Sequence, residues 1–350
     1  MEFGVQFFPS VGPDRKSAED YWTEALYLTR LAESLGFINV RTVEHYFHYY
    51  GGYSPNPLIF LTAAAAQTTK MKLITGAVLP VFNHPLKLAG EIGMVDAISR
   101  GRLEVGFARA FLPHEFARFG VPLSDSRARF DEGLRQVREL LEKEETSSQG
   151  KYHSYPEVTS LPRPTQKPRP PFWIASFSTP ESFEMAGREG FNLMAIPLSG
   201  ADTRRLLAVY RDAWKAAGHP GRGKVMLAFN MFCAPTREQA YATSREDHVH
   251  YLKAIAAGAA GWSSAMETKD YPNYQKMIAN LSNETFESTV QKQTAWIGSP
   301  EDLRATIKDY NEASGGFESA SLQVNFGNMD VATAEASMRL FAREVMPAFA

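Results

Sequence analysis

Short apolar runs rich in β-branched and aromatic residues alternate along this chain with longer stretches of helical period, and that alternation most narrows its possible folds. Residues 3–8 have the content of a buried strand and are closed by Pro9. Tyr21, Ala25, Leu28, Ala32 and Leu35 then recur at three- and four-residue steps, which places them on one helical face, and Gly36 ends that helix. The cycle repeats through a strand at 37–43, an Ala-rich helix at 57–68, a strand at 71–79, and a helical stripe through Leu88, Ile92, Val95 and Ile98. After a strand at 103–107, Phe130, Leu134, Val137 and Leu141 form the next helix face. Strands at 172–176, 191–195, 225–232 and 320–326 follow, with helices near 201–217, 236–257, 300–313 and 331–345.

Strands alternating with helices predict βαβ units and a parallel sheet. The eight strands suit closure into a (β/α)8 TIM barrel, with an open doubly wound sheet as the alternative. At about 150 residues per domain a chain of 350 could hold two, but the unbroken rhythm predicts a single barrel domain over 1–350. The proline-dense stretch 161–171 is a stiff extended connection within that rhythm rather than a linker, because a strand resumes at 172. The polar and aromatic segment 259–295, before the last strand, exceeds a usual structureless connection and predicts either a mobile lid over the strand ends or a helical surface insertion.

Composition excludes several classes. An apolar content of 44% and a charged content of 22% are those of a globular chain. Lys+Arg 37 against Asp+Glu 39 leaves a net charge of −2, without the basic excess that nucleic acid attracts. The N-terminus has no secretory pattern, and no apolar run is long enough for a membrane helix, so a cytoplasmic protein without a membrane partner is expected. One cysteine, Cys233, permits no intrachain disulfide framework. Cys233 and Met226 read as core residues.

The residues best placed for chemistry are Glu44 and His45, directly after the second strand, because strand C-termini in a barrel face a common mouth. His45 could serve there as base, acid or donor, and Glu44 could orient the imidazole or hold a ring nitrogen of a ligand. A buried, satisfied histidine beside a surface carboxylate remains the alternative. Arg109, Arg127 and the hydroxyls of Ser176, Ser178 and Thr179, ahead of a helix, could hold a phosphate, although the hydroxyls would equally suit N-capping. No Gly-x-Gly-x-x-Gly or Walker motif follows a strand. No metal site is expected: His248 and His250 would point to nearly opposite faces of one helix, and His114-Glu115 lacks a second histidine four residues on.

Several stretches in order and spacing carry a resemblance. They are Phe-Gly-Val-Gln-Phe at 3–7, Ala-Glu-Ser-Leu-Gly-Phe at 32–37, Glu-His-Tyr-Phe at 44–47, and Leu-Pro at 79–80 with His-Pro at 84–85. Ser-Arg-Gly-Arg-Leu-Glu-Val-Gly at 99–106, Pro-Arg-Pro-Thr-Gln-Lys-Pro at 162–168, Gly-Ser-Pro-Glu at 298–301 and Glu-Val-Met-Pro at 344–347 continue the series. Through them the chain resembles the bacterial luciferase-like, flavin-dependent monooxygenases over almost its full length. The resemblance implies the (β/α)8 barrel, a catalytic role for His45, and Glu44 as a carboxylate near the flavin. It also implies Arg109 and Arg127 at the FMN phosphate with Ser176 and Thr179 as hydroxyl contacts, and a non-prolyl cis peptide under the ring at Thr75-Gly76 or Gly76-Ala77.

The implied activity is that of a two-component monooxygenase. FMN would arrive as FMNH2 from a separate reductase, and O2 would oxidise a small apolar aldehyde, ketone or biosynthetic intermediate through a peroxyflavin. Phe8, Phe47, Phe111 and Trp173 are expected in the pocket wall, and the helices at 61–66 and after Pro85 as a homodimer face. An F420-dependent oxidoreductase and a non-catalytic flavin-binding subunit are the alternatives. Tyr46, Ala108 and Ala110 depart from the histidine and glycines that the family often has, and Ala108 stands at the cysteine of its light-emitting members.

Overall fold

A computed structural model describes residues 1–262, 271 and 274–350. Its strands are β1 (Glu2–Phe7), β2 (Asn39–Thr42), β3 (Lys72–Val78), β4 (Leu103–Phe107), β5 (Thr146–Gln149), β6 (Ser154–Val158), β7 (Phe172–Ser176), β8 (Asn192–Ala195), β9 (Val225–Cys233), β10 (Ala295–Gly298) and β11 (Ser319–Gln323). Eight of these are parallel neighbours in the cyclic order β1, β2, β3, β4, β7, β8, β9, β11. The last pairing, Gly4 with Ser321 and Gln6 with Gln323, returns to β1 and closes the barrel. The open doubly wound sheet is therefore not the fold.

Period-two alternation divides the apolar residues between two cores. Val5, Phe7, Val40, Leu73, Val105 and Phe172 belong to the large cluster between strands and helices. Ile74, Trp173, Met194 and Met226 form a separate plug inside the barrel, where the indole N–H of Trp173 donates to Glu104 at 2.7 Å. Cys233 is buried in the outer core, and burial pushes its thiol up to about 12.

The helices between strands are α1 (Ala18–Leu35), α2 (Pro57–Gln67), α3 (Pro85–Ile98), α4 (Pro113–Phe119), α5 (Ser126–Glu142), α6 (Pro180–Arg188), α7 (Gly200–Ala216), α8 (Arg237–Ala259), α9 (Tyr274–Ser282), α10 (Phe286–Gln291), α11 (Pro300–Ala313) and α12 (Val331–Glu344). Five of them, α2, α3, α4, α6 and α11, open on proline, whose missing N–H costs nothing in a first turn. Gly36 ends α1 at φ 92°, a conformation that a Cβ disfavours. Among the described residues no helix is long and apolar enough to cross a membrane.

Two segments differ from the sequence reading. The passage before the proline-dense connection contains the antiparallel hairpin β5–β6. It is held by Gln136, whose Nε2 donates to Ser148 Oγ, and by Glu132, which accepts from the N–H groups of Lys151, Tyr152 and His153. Its strands are polar, so no apolar alternation announced them. Within 259–295, residues 263–270 and 272–273 lie outside the described residues. The rest is helical in α9 and α10, and β10 adds a ninth strand beside the outer end of β9, where Ala295 lies opposite Asn230 and Gly298 opposite Cys233.

Helix α6, which carries the candidate phosphate hydroxyls at its start, packs closely on α7 through Gly187. A Cβ there would overlap the carbonyl oxygen of Tyr210 and the backbone nitrogen of Trp214, neither of which can move cheaply. Gly187→Ala should cost about 1–3 kcal/mol by overpacking. It should lower the urea midpoint accordingly, and an unchanged midpoint would show that the two helices part freely.

Candidate functional site

The C-terminal ends of the barrel strands surround a cavity of about 180 Å3. Gly76, Ala77, Ala108, Ala175, Ala195 and Ala228 come from five successive strands and leave an open slot, while Phe8, Tyr50 and Phe111 supply an aromatic wall. The Gly76-Ala77 peptide, at the edge of this slot, is cis. A second cavity of about 670 Å3 adjoins it between the loops after β7 and β8 and helices α8 to α10, and the two share Phe177, Thr179, Asn230 and Tyr251.

His45 lies in the loop after β2 and is almost fully buried, with its ring between Phe8, Tyr50 and Phe111. Its Nδ1 is 3.0 Å from Oε1 of Glu115, a carboxyl with no exposure at the opening of α4. The same oxygen accepts the N–H of Tyr46 at 2.9 Å. With Glu115 as a carboxylate, Nδ1 carries the donated proton, and Nε2 is left as an acceptor on a side chain that lines the cavity.

Glu44 is equally buried, not a surface carboxylate. Its Oε1 accepts from Tyr46 Oη at 2.6 Å and from Asn83 Nδ2 at 2.8 Å, and its Oε2 from the N–H of Leu79 at 3.0 Å. Burial outweighs these donors, repulsion from Glu115 adds to it, and the carboxyl is pushed up to about 7. Tyr46 thus replaces a family histidine with a donor to Glu44.

Residues proposed for a phosphate gather at the start of α6. Ser176 ends β7, Ser178 lines the larger cavity, and Thr179 is the N-cap residue and lines both. Thr179 makes no capping bond, and none of the three hydroxyls has a protein hydrogen-bond partner among the described residues. Nine-residue α6 therefore presents its positive end with hydroxyls uncommitted, which fits a phosphate. Arg109 lines the smaller cavity with its guanidinium 3.9 Å over the ring of Tyr271. Tyr271 in turn donates to the carbonyl of Ala110, a residue held at φ 64° where the family often has glycine. The slot, the cis peptide at its edge and this helix end together fit a flat ring with an anionic tail.

Other candidates do not line the smaller cavity. Thr75 is fully buried, and its hydroxyl bridges to β4 by donating to Gly106 O and accepting from Gly106 N. Arg127 is half-buried in the first turn of α5 and lines neither cavity. Phe47, expected in the wall, is exposed at φ 61° beside Arg118, because the backbone turns outward there. Trp173 lies in the barrel plug, two residues before the inward Ala175 and too deep to reach the rim. His248 bridges Asn230 and Thr289, and His250 meets Ser10 O, so the pair shares no ligand.

Sequence reading missed Glu115 and Arg41. In the sequence Glu115 stands beside His114 and suggests only a metal motif, although its place in the first turn of the helix that follows β4 is a signal. Arg41 lies inside a short strand, where a charge would not be sought.

The model of the luciferase-like monooxygenase family matches residues 1–316. The oxygenase component of flavin-dependent trigonelline monooxygenase from Acinetobacter baylyi is 28% identical over 346 residues, 96% of this chain and 92% of that protein. The crystal structure of monooxygenase RslO1 from Streptomyces bottropensis is 40% identical, with a TM-score of 0.88 over 100% of both chains. The oxygenating constituent of 3,6-diketocamphane monooxygenase from Pseudomonas putida, a type II Baeyer-Villiger enzyme solved with FMN, is 25% identical with a TM-score of 0.82, over 99% of this chain and 98% of that one.

Raised titration of Glu44 has a signed consequence for stability. The folded chain holds this proton more tightly than the unfolded chain, whose carboxyl has the ordinary value of 4.5. Its contribution is fully present below 4.5 and is lost as pH rises through about 7. In thermal melts Glu44→Gln should gain on the wild type as pH rises across that window, and a gap independent of pH would contradict the assignment.

Proposed function

The chain belongs to the luciferase-like monooxygenase family and is a flavin-dependent monooxygenase, and from that premise we propose that it is the oxygenase of a two-component system. In this reading a separate reductase supplies FMN as FMNH2, and with O2 it oxidises a small, largely apolar organic substrate in the cavity at the strand ends. The observation that carries the proposal is the small-residue slot beside the cis Gly76-Ala77 peptide, faced by a histidine whose second nitrogen is held by a buried carboxylate. Gly76 and Ala77 would hold the ring, with Thr75 supporting them from behind. Arg109, Ser176, Ser178 and Thr179 would hold the phosphate. When bound, the reduced flavin supplies the electrons that activate O2 for insertion of one oxygen atom.

This chain's own residues do the rest. His45 accepts or returns a proton at Nε2, and Glu115 fixes the ring by its bond to Nδ1. Glu44, titrating near neutrality, ties the loop after β2 to the start of the loop after β3 through Leu79 and Asn83. Phe8, Tyr50 and Phe111 exclude water, which protects reactive species from side reactions. The proposal takes residues 1–350 as one catalytic domain, acting in the cytoplasm as a homodimer. Ile59 on α2 and Met94 and Ile98 on α3 are exposed apolar residues on the helices assigned to that contact.

Purified chain, FMN, a general flavin reductase with NADH, and a metabolite pool should yield a product carrying one oxygen atom from isotopically labelled O2, detected by mass spectrometry. His45→Ala should cut turnover by about 10²–10⁴-fold while leaving FMN binding intact, and full activity in that variant would remove the assigned role. Separately, Met94→Asp should shift the mass in light scattering from dimer to monomer, whereas an unchanged mass would place the contact elsewhere.

A further inference from the structure

One charged group on the cavity wall takes part in none of these roles. Arg41 is the third residue of β2 and lies in register with Gln6 on β1 and Ile74 on β3. It lines the smaller cavity yet is only 7% exposed. One terminal nitrogen, Nη2, donates to Gln6 Oε1, and the other, Nη1, is 3.5 Å from Met194 Sδ. Its Nε is buried without a hydrogen-bond partner. Among the described residues no carboxylate pairs with it.

Among the described residues no counter-ion contacts it, and Glu44, the one carboxyl among them that also lines the cavity, is held by Tyr46, Leu79 and Asn83. Neighbouring polar side chains in the barrel are the neutral Gln6, Asn230 and Ser321. Tyr50 and Tyr251 stand nearest as possible anions, but burial pushes both phenols up, Tyr251 to about 12, so both are neutral at physiological pH. Arg41 itself is lowered only to about 10 and keeps its charge. Gly76 makes room for it, because a Cβ at that position would overlap Arg41 Cγ and Cδ. A desolvated cation is costly unless something pairs with it. The remaining donor belongs to a side chain that lines a cavity also lined by the aromatic rings of Phe8 and Phe111.

We propose that Arg41 is the anchor for a carboxylate on the substrate, so that the molecule oxidised here is an organic acid with an apolar body. This rests on the reading of the cavity as the oxidation site. The same guanidinium chemistry would suit the anionic edge of a reduced flavin, and the experiment separates the two sources.

The test uses the whole enzyme saturated with oxidised FMN, titrated calorimetrically with benzoate, cyclohexanecarboxylate and octanoate and with their three amides. At least one acid should bind about 10- to 100-fold more tightly than its amide, the range of a charge-assisted pair. Arg41→Gln should erase that preference with oxidised-FMN affinity unchanged, and Arg41→Lys should restore part of it. No preference for any acid in the wild type, or a preference that survives Arg41→Gln, overturns the proposal. So does a variant that loses affinity for reduced FMN while the wild type treats acids and amides alike, since that assigns the guanidinium to the flavin. If Arg41→Gln does not fold, the wild-type acid-to-amide ratio and its retention in Arg41→Lys still decide. Failure of the wild type to bind FMN, with the acid preference intact, would sink the cofactor reading and leave the carboxylate anchor standing.

Discussion

Pairing of β11 with β1 closes the sheet, and the candidate site depends on that closure. In an open sheet, the strand carrying Arg41, the loop carrying His45 and the helix start carrying Thr179 would lie along a line. A closed parallel barrel turns their C-terminal ends toward one axis, so residues far apart in sequence share a cavity of about 180 Å3. Closure also gives the barrel its own interior. Trp173, Met194, Met226 and Ile74 pack together inside it, and Met194 lines the cavity beside the polar side chains of Gln6, Arg41 and Asn230.

Charge in this site is governed mainly by burial. Glu44 and Glu115 are two carboxyls withdrawn from water, yet they meet different partners. Three donors around Glu44 hold its oxygens but do not compensate for desolvation, so it titrates near neutrality. Glu115 meets an imidazole and one backbone N–H instead. The first carboxyl links two loops, and the second orients a ring. Such division of labour between neighbouring acids is how a fold separates structural from chemical tasks.

Much of the architecture was legible because its signals are local and redundant. Proline at the start of α2, α3 and α6, glycine after α1, and apolar strands ended by Pro9 and Pro80 each mark a boundary independently. The β5–β6 hairpin was invisible because its strands are polar and rest on side-chain bonds from Gln136 and Glu132, which no periodicity encodes. The site divided in the same way. Glu44, His45, Arg109 and Ser176 could be named from their place after strands, whereas Thr75 and Trp173 lie at positions whose depth only the register reveals. Glu115 and Arg41 gain their meaning from partners seventy and thirty-five residues away, respectively, in His45 and Gln6.

Burial of Cys233 carries a consequence for an enzyme of this chemistry. Reduced flavins in the presence of air shed hydrogen peroxide, and thiolates are the protein groups most readily damaged by it. The single sulfhydryl of this chain is packed in the outer core with its ionisation displaced well beyond neutral pH. The catalyst is thereby built without an oxidisable thiolate of its own, so neither alkylating reagents nor leaked oxidant have that foothold from which to inactivate it.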